Sequence, residues 1–239
     1  MNIAIIFAGG TGQRMNSKTK PKQFLKLHGK PILVYTIEQF QEHEEIDGII
    51  VVCIDSWITY CKNLIHFFRL DKVVDVIPGG ENGQSSIFHG IKKAQELYDE
   101  ETVVLIHDGV RPLVDKETIT KNIKSVQKYG SAVTTVPATE TIIKTEESGK
   151  ISSIIERKSC ELARAPQSFF LGDIYEAHCT ALKENKTEFI DSASLMSHYG
   201  YELHTVAGKP ENIKITTPSD FYIFRALLDA KENAQILGF

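Results

Sequence analysis

Basic side chains and glycines follow a short apolar run near the start of the chain, in AGGTGQRM (8–15) and PKQ (21–23). Glycine lets backbone N–H groups turn toward a ligand and approach it closely. Arg and Lys make charge-assisted contacts with phosphate oxygens. The loop therefore predicts a polyphosphate site, and the alternative is a glycine-rich turn with solvated lysines. The candidate residues are Ala8, Gly9, Gly10, Gly12, Arg14 and Lys22.

Two familiar phosphate-binding motifs do not fit this loop. The P-loop needs G-x-x-x-x-G-K-[ST], which is absent, and the dinucleotide fingerprint G-x-G-x-x-G lacks its third glycine because Met15 stands there. A dinucleotide-dependent oxidoreductase also needs an acidic residue about 20 positions further on, at a strand end. Residues 30–34 read KPILV and begin a helical pattern instead. These features count against an oxidoreductase.

A carboxylate follows a second apolar run. Asp108 comes directly after TVVLIH (102–107), which reads as a buried strand. At a strand's carboxyl end beside a polyphosphate, such a group suits Mg²⁺, which takes one or two carboxylates plus phosphate oxygens. The alternatives are a helix cap or a salt bridge with Arg111. Asp108 is thus the candidate metal ligand.

The elements that position these residues alternate along the chain. Short β-rich runs stand at 3–7, 48–54, 72–77, 102–107, 131–137 and 201–208, and segments with helical spacing stand at 31–42, 57–68, 85–98, 116–129, 172–183, 192–199 and 219–232. This alternation predicts an α/β fold with a doubly wound, mostly parallel, Rossmann-like sheet in one domain over 1–239. Ligands of such sheets lie beyond the carboxyl ends of the strands.

One region departs from the alternation. Residues 134–158 hold consecutive short strands, with runs at 141–144 and 150–156 joined by the turn-like EESGK (146–150). An isolated two-stranded hairpin is only marginally stable in water. We therefore expect a projecting β-arm that packs on a second subunit and makes a homodimer. The alternative is an antiparallel extension of the same sheet.

Composition limits the possible partners and compartments. The chain has 239 residues, 42% of them apolar and 24% charged, which is typical of a soluble globular protein. A net charge of −4 argues against a nucleic-acid partner. The four cysteines show no zinc or CxxC spacing and are expected to be reduced thiols. No signal peptide or membrane span is visible, so a cytoplasmic location with no membrane partner is expected.

The motifs together carry a family resemblance. AGGTGQRM followed by PKQFL resembles the opening of the sugar- and polyol-phosphate cytidylyltransferases, and the resemblance covers residues 2 to 230. Further blocks follow in family order: GGENGQSSIFHG (79–90), HDGVRP (107–112), TETIIK (139–144), ERKSCELARAPQSF (156–169), FIDSAS (189–194) and NIKITTPSD (212–220). The resemblance implies that a substrate phosphate attacks the α-phosphorus of CTP and releases pyrophosphate, with Mg²⁺ as the divalent cation.

This chemistry explains why cations collect in the opening loop. A phosphate monoester has a second pKa of about 6, so the nucleophile needs no general base at pH 7. The obstacle is that two anions must meet. Catalysis should then come from positioning and positive charge.

The resemblance also implies roles for individual residues. Those matching the family's catalytic positions are Arg14, Lys22 and Lys214. Those matching its nucleotide site are Ala8, Gly9, Gly10, Gly12, Gly80, Glu81, Ser86 and Asp108. Those matching its acceptor site are Arg111, Thr141, Arg157, Asp191 and Lys214, with Thr141 and Arg157 reaching in from the partner's arm.

Some positions depart from the family pattern. The family usually has Asp where this chain has Glu81 and often Arg where it has Gly83, so backbone groups of Gly80 and Glu81 are an alternative means of reading cytosine. Ala165 and Ile190 replace hydroxyl-bearing residues of the methylerythritol enzymes. Loss of a hydroxyl partner changes which acceptor a site selects.

These departures favour D-ribitol 5-phosphate as acceptor, which would give CDP-ribitol for teichoic acid or capsule synthesis. The alternative acceptor is 2-C-methyl-D-erythritol 4-phosphate, used in isoprenoid synthesis. A more remote alternative is a non-catalytic nucleotide-binding module. That alternative predicts loss of Arg14, Lys22, Asp108 or Lys214, and all four are present.

Overall fold

The structure is a computed structural model that describes residues 1–10 and 20–237, with side chains described as far as residue 233. The predicted residues Gly12 and Arg14 lie outside the described residues. The strands are β1 Asn2–Ala8, β2 Lys26–Leu27, β3 Lys30–Pro31, β4 Gly48–Cys53, β5 Val73–Pro78, β6 Val103–Asp108, β7 Ser131–Pro137, β8 Ile142–Thr145, β9 Ile151–Ile155, β10 Glu161–Phe170 and β11 Thr205–Ala207. The α-helices are α1 Ile32–Gln41, α2 Ile58–Phe67, α3 Gly83–Leu97, α4 Lys116–Tyr129, α5 Leu171–Lys183, α6 Ser192–His198 and α7 Pro218–Leu237.

A mixed sheet of seven strands forms the centre of the described molecule, in the order β11-β7-β10-β6-β1-β4-β5. β1 pairs in parallel with both β4 and β6, and β5 continues in parallel from β4. β10 is antiparallel to its neighbours β6 and β7. The predicted α/β fold with a mostly parallel sheet is confirmed, and the carboxyl ends of β1, β4 and β6 lie at one edge.

The middle strands are buried on both faces. Every residue of β4 and β6 is buried, as is typical of parallel strands with helices on either side. Alternate side chains of β1 enter opposite layers of the core, since successive strand residues point to opposite faces. Ala4 and Ile6 pack in the layer that contains α1, α2 and α4, whereas Ile3 and Ile5 pack in the layer that contains α3, α5 and α6.

β10 was missed by the sequence pattern. Its sequence, ELARAPQSFF, begins with exposed residues, and charges and a proline interrupt its apolar positions. The pairing with β7 shifts register between Ala163 and Gln167, around Pro166. A proline cannot donate to the ladder and is typical of such irregularities. The strand is held instead by its buried half, which lies between β6 and β7.

The hairpin of β8 and β9 is separate from the central sheet. The two strands pair only with each other among the described residues, with Ile143 opposite Ile154. Gly149, in the turn, has a φ of 82°, a left-handed conformation that favours glycine. The alternative of an extension of the main sheet is therefore wrong for residues 142–155. The first residues of the predicted arm, 134–137, belong to β7 of the central sheet.

Candidate active site

The glycine loop is anchored by a buried glutamine. Gln23 is 1% exposed, and its Nε2 donates to the carbonyl oxygens of Ala8 at 2.6 Å and Gly10 at 3.2 Å. Gln23 lies in the short 3-10 turn Lys22–Phe24, so these bonds bring Lys22 to the end of β1. The PKQ motif was recognised in the sequence, but Gln23 was given no role in the site. No residue pattern links position 23 to the carbonyls of 8 and 10.

Ser86, in the first turn of α3, lies close to the glycine loop after β1. The Ser86 hydroxyl accepts the backbone N–H of Gly80 at 3.1 Å and donates to the carbonyl of Asn82 at 2.8 Å. A Cβ added at Gly9 would lie 3.1 Å from Ser86 Oγ, so the two segments meet closely only because residue 9 is glycine. Ser86 therefore shapes the turn that carries Gly80.

The side chain of Glu81 takes no part in these hydrogen bonds. Glu81 is exposed, and the described structure gives its carboxylate no hydrogen-bond partner. Helix α3 begins just after it, with Asn82 and Ser85 capping each other's backbone N–H groups. Backbone groups, rather than the Glu81 carboxylate, are thus fixed in place at this turn.

Asp108 lies at the carboxyl end of β6 between two cations. Its Oδ1 contacts Lys214 Nζ at 2.6 Å, and its Oδ2 accepts from Arg111 Nε at 2.7 Å. Burial raises the pKa of the Asp108 carboxyl, but the charges of Lys214 and Arg111 outweigh burial and lower that pKa to about 2. Asp108 is therefore ionised at neutral pH. The salt bridge with Arg111 that the sequence suggested is present.

His107 contacts the backbone of the turn that follows β6. It is fully buried, burial lowers its pKa to about 4, and its Nε2 lies 3.1 Å from the carbonyl oxygen of Arg111. A neutral ring that donates to this carbonyl fixes the backbone of the turn after β6.

A cavity of about 500 Å³ opens beside Asp108 and is lined by several distant parts of the chain. The predicted acceptor residues Arg111, Asp191 and Lys214 line it together with Asp108, and so do Ala165 and Ile190. Ala165 is buried, whereas Ile190 is 95% exposed at the rim. The two positions that depart from the methylerythritol pattern thus face the same space.

Asp191 is held by structural hydrogen bonds. Its Oδ1 accepts from the N–H and the hydroxyl of Ser194, as the N-cap of α6, and its Oδ2 accepts from Gln167 Nε2 at 2.8 Å. Gln167 in turn accepts from the N–H of Ala193 through Oε1. Asp191 lines the cavity, but its oxygens already satisfy the start of α6.

Thr141 and Arg157 do not line the cavity of their own chain. Both are exposed at the base of the hairpin, and Arg157 donates through Nη1 to the carbonyl of Thr139 at 2.9 Å. Their predicted role in a partner's site stays a prediction.

Arg164 is a cavity residue that sequence reasoning missed. It lines the cavity from β10, and its Nη1 donates to the carbonyl of Asn212 at 2.8 Å. Arg111 Nη1 donates to the same oxygen at 2.9 Å. Because β10 itself was not recognised as a strand, nothing in the sequence brought position 164 to this place.

The donor set at Asp108 is compatible with Mg²⁺ as a single-carboxylate site. Asp108 is ionised, and each of its oxygens uses one lone pair on a cation and keeps another. In the part of the chain that the structure describes, no group of three or more His, Cys, Asp or Glu side chains is arranged to hold a metal ion. A bound Mg²⁺ would therefore take most of its ligands from phosphate oxygens and water.

Comparisons with known proteins agree with the fold. A family model described as IspD, 2-C-methyl-D-erythritol 4-phosphate cytidylyltransferase, matches residues 2–230. The chain belongs to this family of CTP-dependent nucleotidyltransferases. The crystal structure of 4-diphosphocytidyl-2C-methyl-D-erythritol synthase from Anaerococcus prevotii DSM 20548 matches with a TM-score of 0.82 and 25% identity, over 95% of this chain and 96% of that one.

Curated relatives differ in the acceptor that their names give. The chain is 54% identical over 238 residues to the ribitol-5-phosphate cytidylyltransferase of Streptococcus agalactiae serotype III (strain NEM316), covering all of both chains. It is 38% identical over 235 residues to the 2-C-methyl-D-erythritol 4-phosphate cytidylyltransferase of Clostridium acetobutylicum, covering 98% of this chain and 99% of that one. The resemblance to polyol-phosphate cytidylyltransferases is confirmed.

Proposed function

We propose that this enzyme transfers CMP from CTP to D-ribitol 5-phosphate and releases CDP-ribitol and pyrophosphate. The observation that carries the acceptor assignment is the full-length identity to a ribitol-5-phosphate cytidylyltransferase, which exceeds the identity to the methylerythritol enzyme by 16 percentage points (54 minus 38). The cavity agrees, because Ala165 and Ile190 offer it no hydroxyl. The alternative acceptor, 2-C-methyl-D-erythritol 4-phosphate, is favoured by the description of the family model.

Nucleotide binding is assigned to the loop after β1 and the turn before α3. Backbone groups of Ala8, Gly9 and Gly10 would contact CTP, and Gly12 is assigned to the same nucleotide site from its place in the AGGTGQRM motif. Gly80 and Glu81 would read cytosine through their backbone, because the Glu81 side chain is exposed and the Ser86 hydroxyl already holds the turn. Arg14 and Lys22 would stabilise the charge that develops on the triphosphate.

The acceptor phosphate would enter from the cavity and approach the α-phosphorus of CTP. Its dianion is the nucleophile, so no side chain need remove a proton. Lys214 and Arg111 would draw this phosphate to the carboxyl end of β6, where Asp108 holds both cations in place. Asp191 would contact the polyol, and Thr141 and Arg157 would come from the partner's hairpin.

Mg²⁺ is proposed to accompany CTP. When bound, it supplies positive charge that neutralises phosphate oxygens, and Asp108 is the protein group that would hold it. The chain's own contribution is an ionised carboxylate at that place.

The β8–β9 hairpin is proposed as the dimer contact. Ile143, Ile151, Ile154 and Ile155 are exposed on it, and Ile154 is 70% exposed. A two-stranded hairpin with several exposed isoleucines gains stability by packing against another surface. The homodimer would work in the cytoplasm, where CTP is made, and its product would serve teichoic acid or capsule synthesis. Among the described helices, none is both long and apolar enough to cross a membrane.

Product analysis tests this function. Purified protein is incubated with CTP, MgCl₂ and ribitol 5-phosphate, and the nucleotide product is identified by mass spectrometry. The mass of CDP-ribitol, formed together with pyrophosphate and not formed from UTP, is the expected result. No CDP-ribitol under conditions in which methylerythritol phosphate yields product would overturn the assignment.

A further inference from the structure

Two arginines from distant parts of the chain converge on one carbonyl oxygen. Arg111, in the turn after β6, and Arg164, on β10, both donate through Nη1 to the oxygen of Asn212, at 2.9 Å and 2.8 Å. Asn212 is 2% exposed, and its Nδ2 donates to the carbonyl of Ala165 at 2.7 Å. The strand segment with Arg164 is therefore tied to the segment that carries Lys214.

The charges of this cluster do not balance. Arg111 and Lys214 share the single carboxylate of Asp108. Arg164 has no carboxylate within ion-pair distance among residues 1–10 and 20–233. Within this cluster, three cations and one ionised carboxylate leave a formal charge of about +2, against a charge of about −1.5 to −2 on a phosphate monoester at pH 7. The other two carboxylates that line the cavity, Glu188 and Asp191, form no ion pair with these cations in the described structure.

The position of Arg164 is electrostatically unfavourable without an anion. Burial and the neighbouring charge of Arg111 both lower the pKa of Arg164, and the opposing influence of Glu211 does not cancel them. A neutral donor could hold the Asn212 carbonyl without this repulsion, and Arg111 already bonds to that oxygen. Fixing the backbone is therefore an insufficient reason for a second guanidinium here.

We propose that Arg164 binds the phosphate of the acceptor substrate, together with Arg111 and Lys214. All three side chains line the cavity that opens beside Asp108. A guanidinium fork matches two phosphate oxygens at once and is suited to orienting the nucleophilic oxygen. The inference rests on the proposed phosphate acceptor and does not depend on which polyol carries the phosphate.

Two variants separate charge from backbone support. Arg164→Gln keeps a donor for the Asn212 carbonyl and removes the charge, whereas Arg164→Lys keeps the charge. Arg225→Gln is the matched control, since Arg225 is an exposed arginine on α7 that does not line the cavity. Inorganic phosphate and unphosphorylated ribitol serve as inhibitors against the acceptor, with CTP at saturation.

We expect Arg164→Gln to raise the acceptor KM and the inhibition constant of inorganic phosphate by about ten- to a hundredfold, as for loss of a hydrogen bond between charged groups. The KM for CTP and the inhibition constant of ribitol should stay unchanged, and Arg164→Lys should lose less. An equal rise in the KM values of CTP and acceptor, or unchanged inhibition by phosphate, would overturn the proposal.

The two proposals can fail separately. Kinetics are run with both ribitol 5-phosphate and methylerythritol phosphate, so a preference for the second substrate would overturn the acceptor assignment and still test Arg164. If neither acceptor is used, calorimetric titration of inorganic phosphate into the CTP-saturated protein gives the same comparison. Equal phosphate affinity in the parent protein and Arg164→Gln would then count against the proposal. Thermal unfolding of each variant identifies any loss that comes from misfolding.

Discussion

Asp108 keeps its charge at a nearly buried position because Lys214 and Arg111 contact it directly. An unpaired carboxylate there would shift toward its neutral form. The pair of cations instead makes it a stronger acid than usual. The same contacts hold the two cations where an incoming phosphate would meet them. Asp108 thus offsets part of the positive charge of the site and also holds the two cations in position.

A pH dependence of stability follows from this arrangement. The pKa of Asp108 is about 2 in the folded protein, below its ordinary value of 3.8. The ionised group therefore stabilises the fold above about pH 4, and this contribution is lost as the pH falls from about 4 to about 2. It amounts to on the order of 2 kcal/mol. Urea unfolding of the parent protein and Asp108→Asn should show a free-energy difference that shrinks over this range.

The control for this experiment is Asp71→Asn, because Asp71 is exposed. Its free energy of unfolding should follow that of the parent protein throughout. If the difference in the free energy of unfolding between the parent protein and Asp108→Asn did not change with pH, Lys214 and Arg111 would not be what stabilises the ionised Asp108.

Lys22 is expected to act on the reaction rather than on the fold. The residue opens the short turn anchored by Gln23 and is only partly buried. Lys22→Ala should reduce kcat by about a hundredfold or more, as for removal of one group that stabilises transition-state charge. Its melting temperature should stay near that of the parent, because the core residues Phe24 and Leu27 remain. Steady-state kinetics and thermal unfolding check both statements.

Lys26→Ala provides the comparison, since Lys26 is an exposed lysine four positions further along the chain. It should keep full activity. If Lys22→Ala lost activity only in parallel with its folded fraction, the catalytic role of Lys22 would be wrong.

At the scale of elements, the hairpin is an excursion between β7 and β10, two neighbouring strands of the central sheet. After β7 the chain leaves the central sheet and forms β8 and β9. It then returns to the sheet as β10, which lies between β6 and β7. The return strand brings Arg164, Ala165 and Gln167 to the cavity, while the hairpin carries Thr141 and Arg157 away from it. The same segment therefore builds one wall of the cavity and also carries a hairpin that is separate from the central sheet.

Disruption of the hairpin surface should separate the subunits. Ile154→Ser combined with Ile143→Ser removes two isoleucines that face each other across the hairpin. We expect the parent protein to sediment as a dimer and this variant as a monomer, with a raised acceptor KM because Thr141 and Arg157 no longer reach a partner. Analytical ultracentrifugation and acceptor titration measure the two effects.

Phe67→Ser is a suitable control, because Phe67 is a highly exposed apolar residue on α2. It should leave the assembly unchanged. A monomeric parent protein, or a dimer that survives both serine substitutions, would rule out the hairpin as the contact.

At the scale of the whole molecule, the parallel core was predictable because its strands are buried on both faces. Residues 49–54 and 103–106 are apolar without interruption, and helical spacing follows each run. β10 could not be found this way, since Arg164 and Pro166 interrupt its pattern and its pairing depends on neighbours far along the chain. Antiparallel insertion of this strand is a tertiary effect that local propensity does not determine.

The site was predictable to a similar extent. Asp108 was expected at a strand end with Arg111 as a possible salt-bridge partner, whereas Lys214 was selected only through the family resemblance. In the structure Asp108 contacts both cations. Gln23 and Arg164 were missed because their partners are backbone carbonyls, which carry no sequence signal. The positions that distinguish acceptors, Ala165 and Ile190, are 25 residues apart and meet only in the folded cavity.

The choice of acceptor is the central claim, and a ratio of specificity constants tests it most directly. With CTP and Mg²⁺ at saturation, kcat/KM is measured for D-ribitol 5-phosphate and for 2-C-methyl-D-erythritol 4-phosphate in the same preparation. We predict a ratio of about a hundred or more in favour of ribitol 5-phosphate, the discrimination expected when hydroxyl partners are absent from a pocket. A ratio below one would contradict the account and assign the enzyme to the methylerythritol substrate.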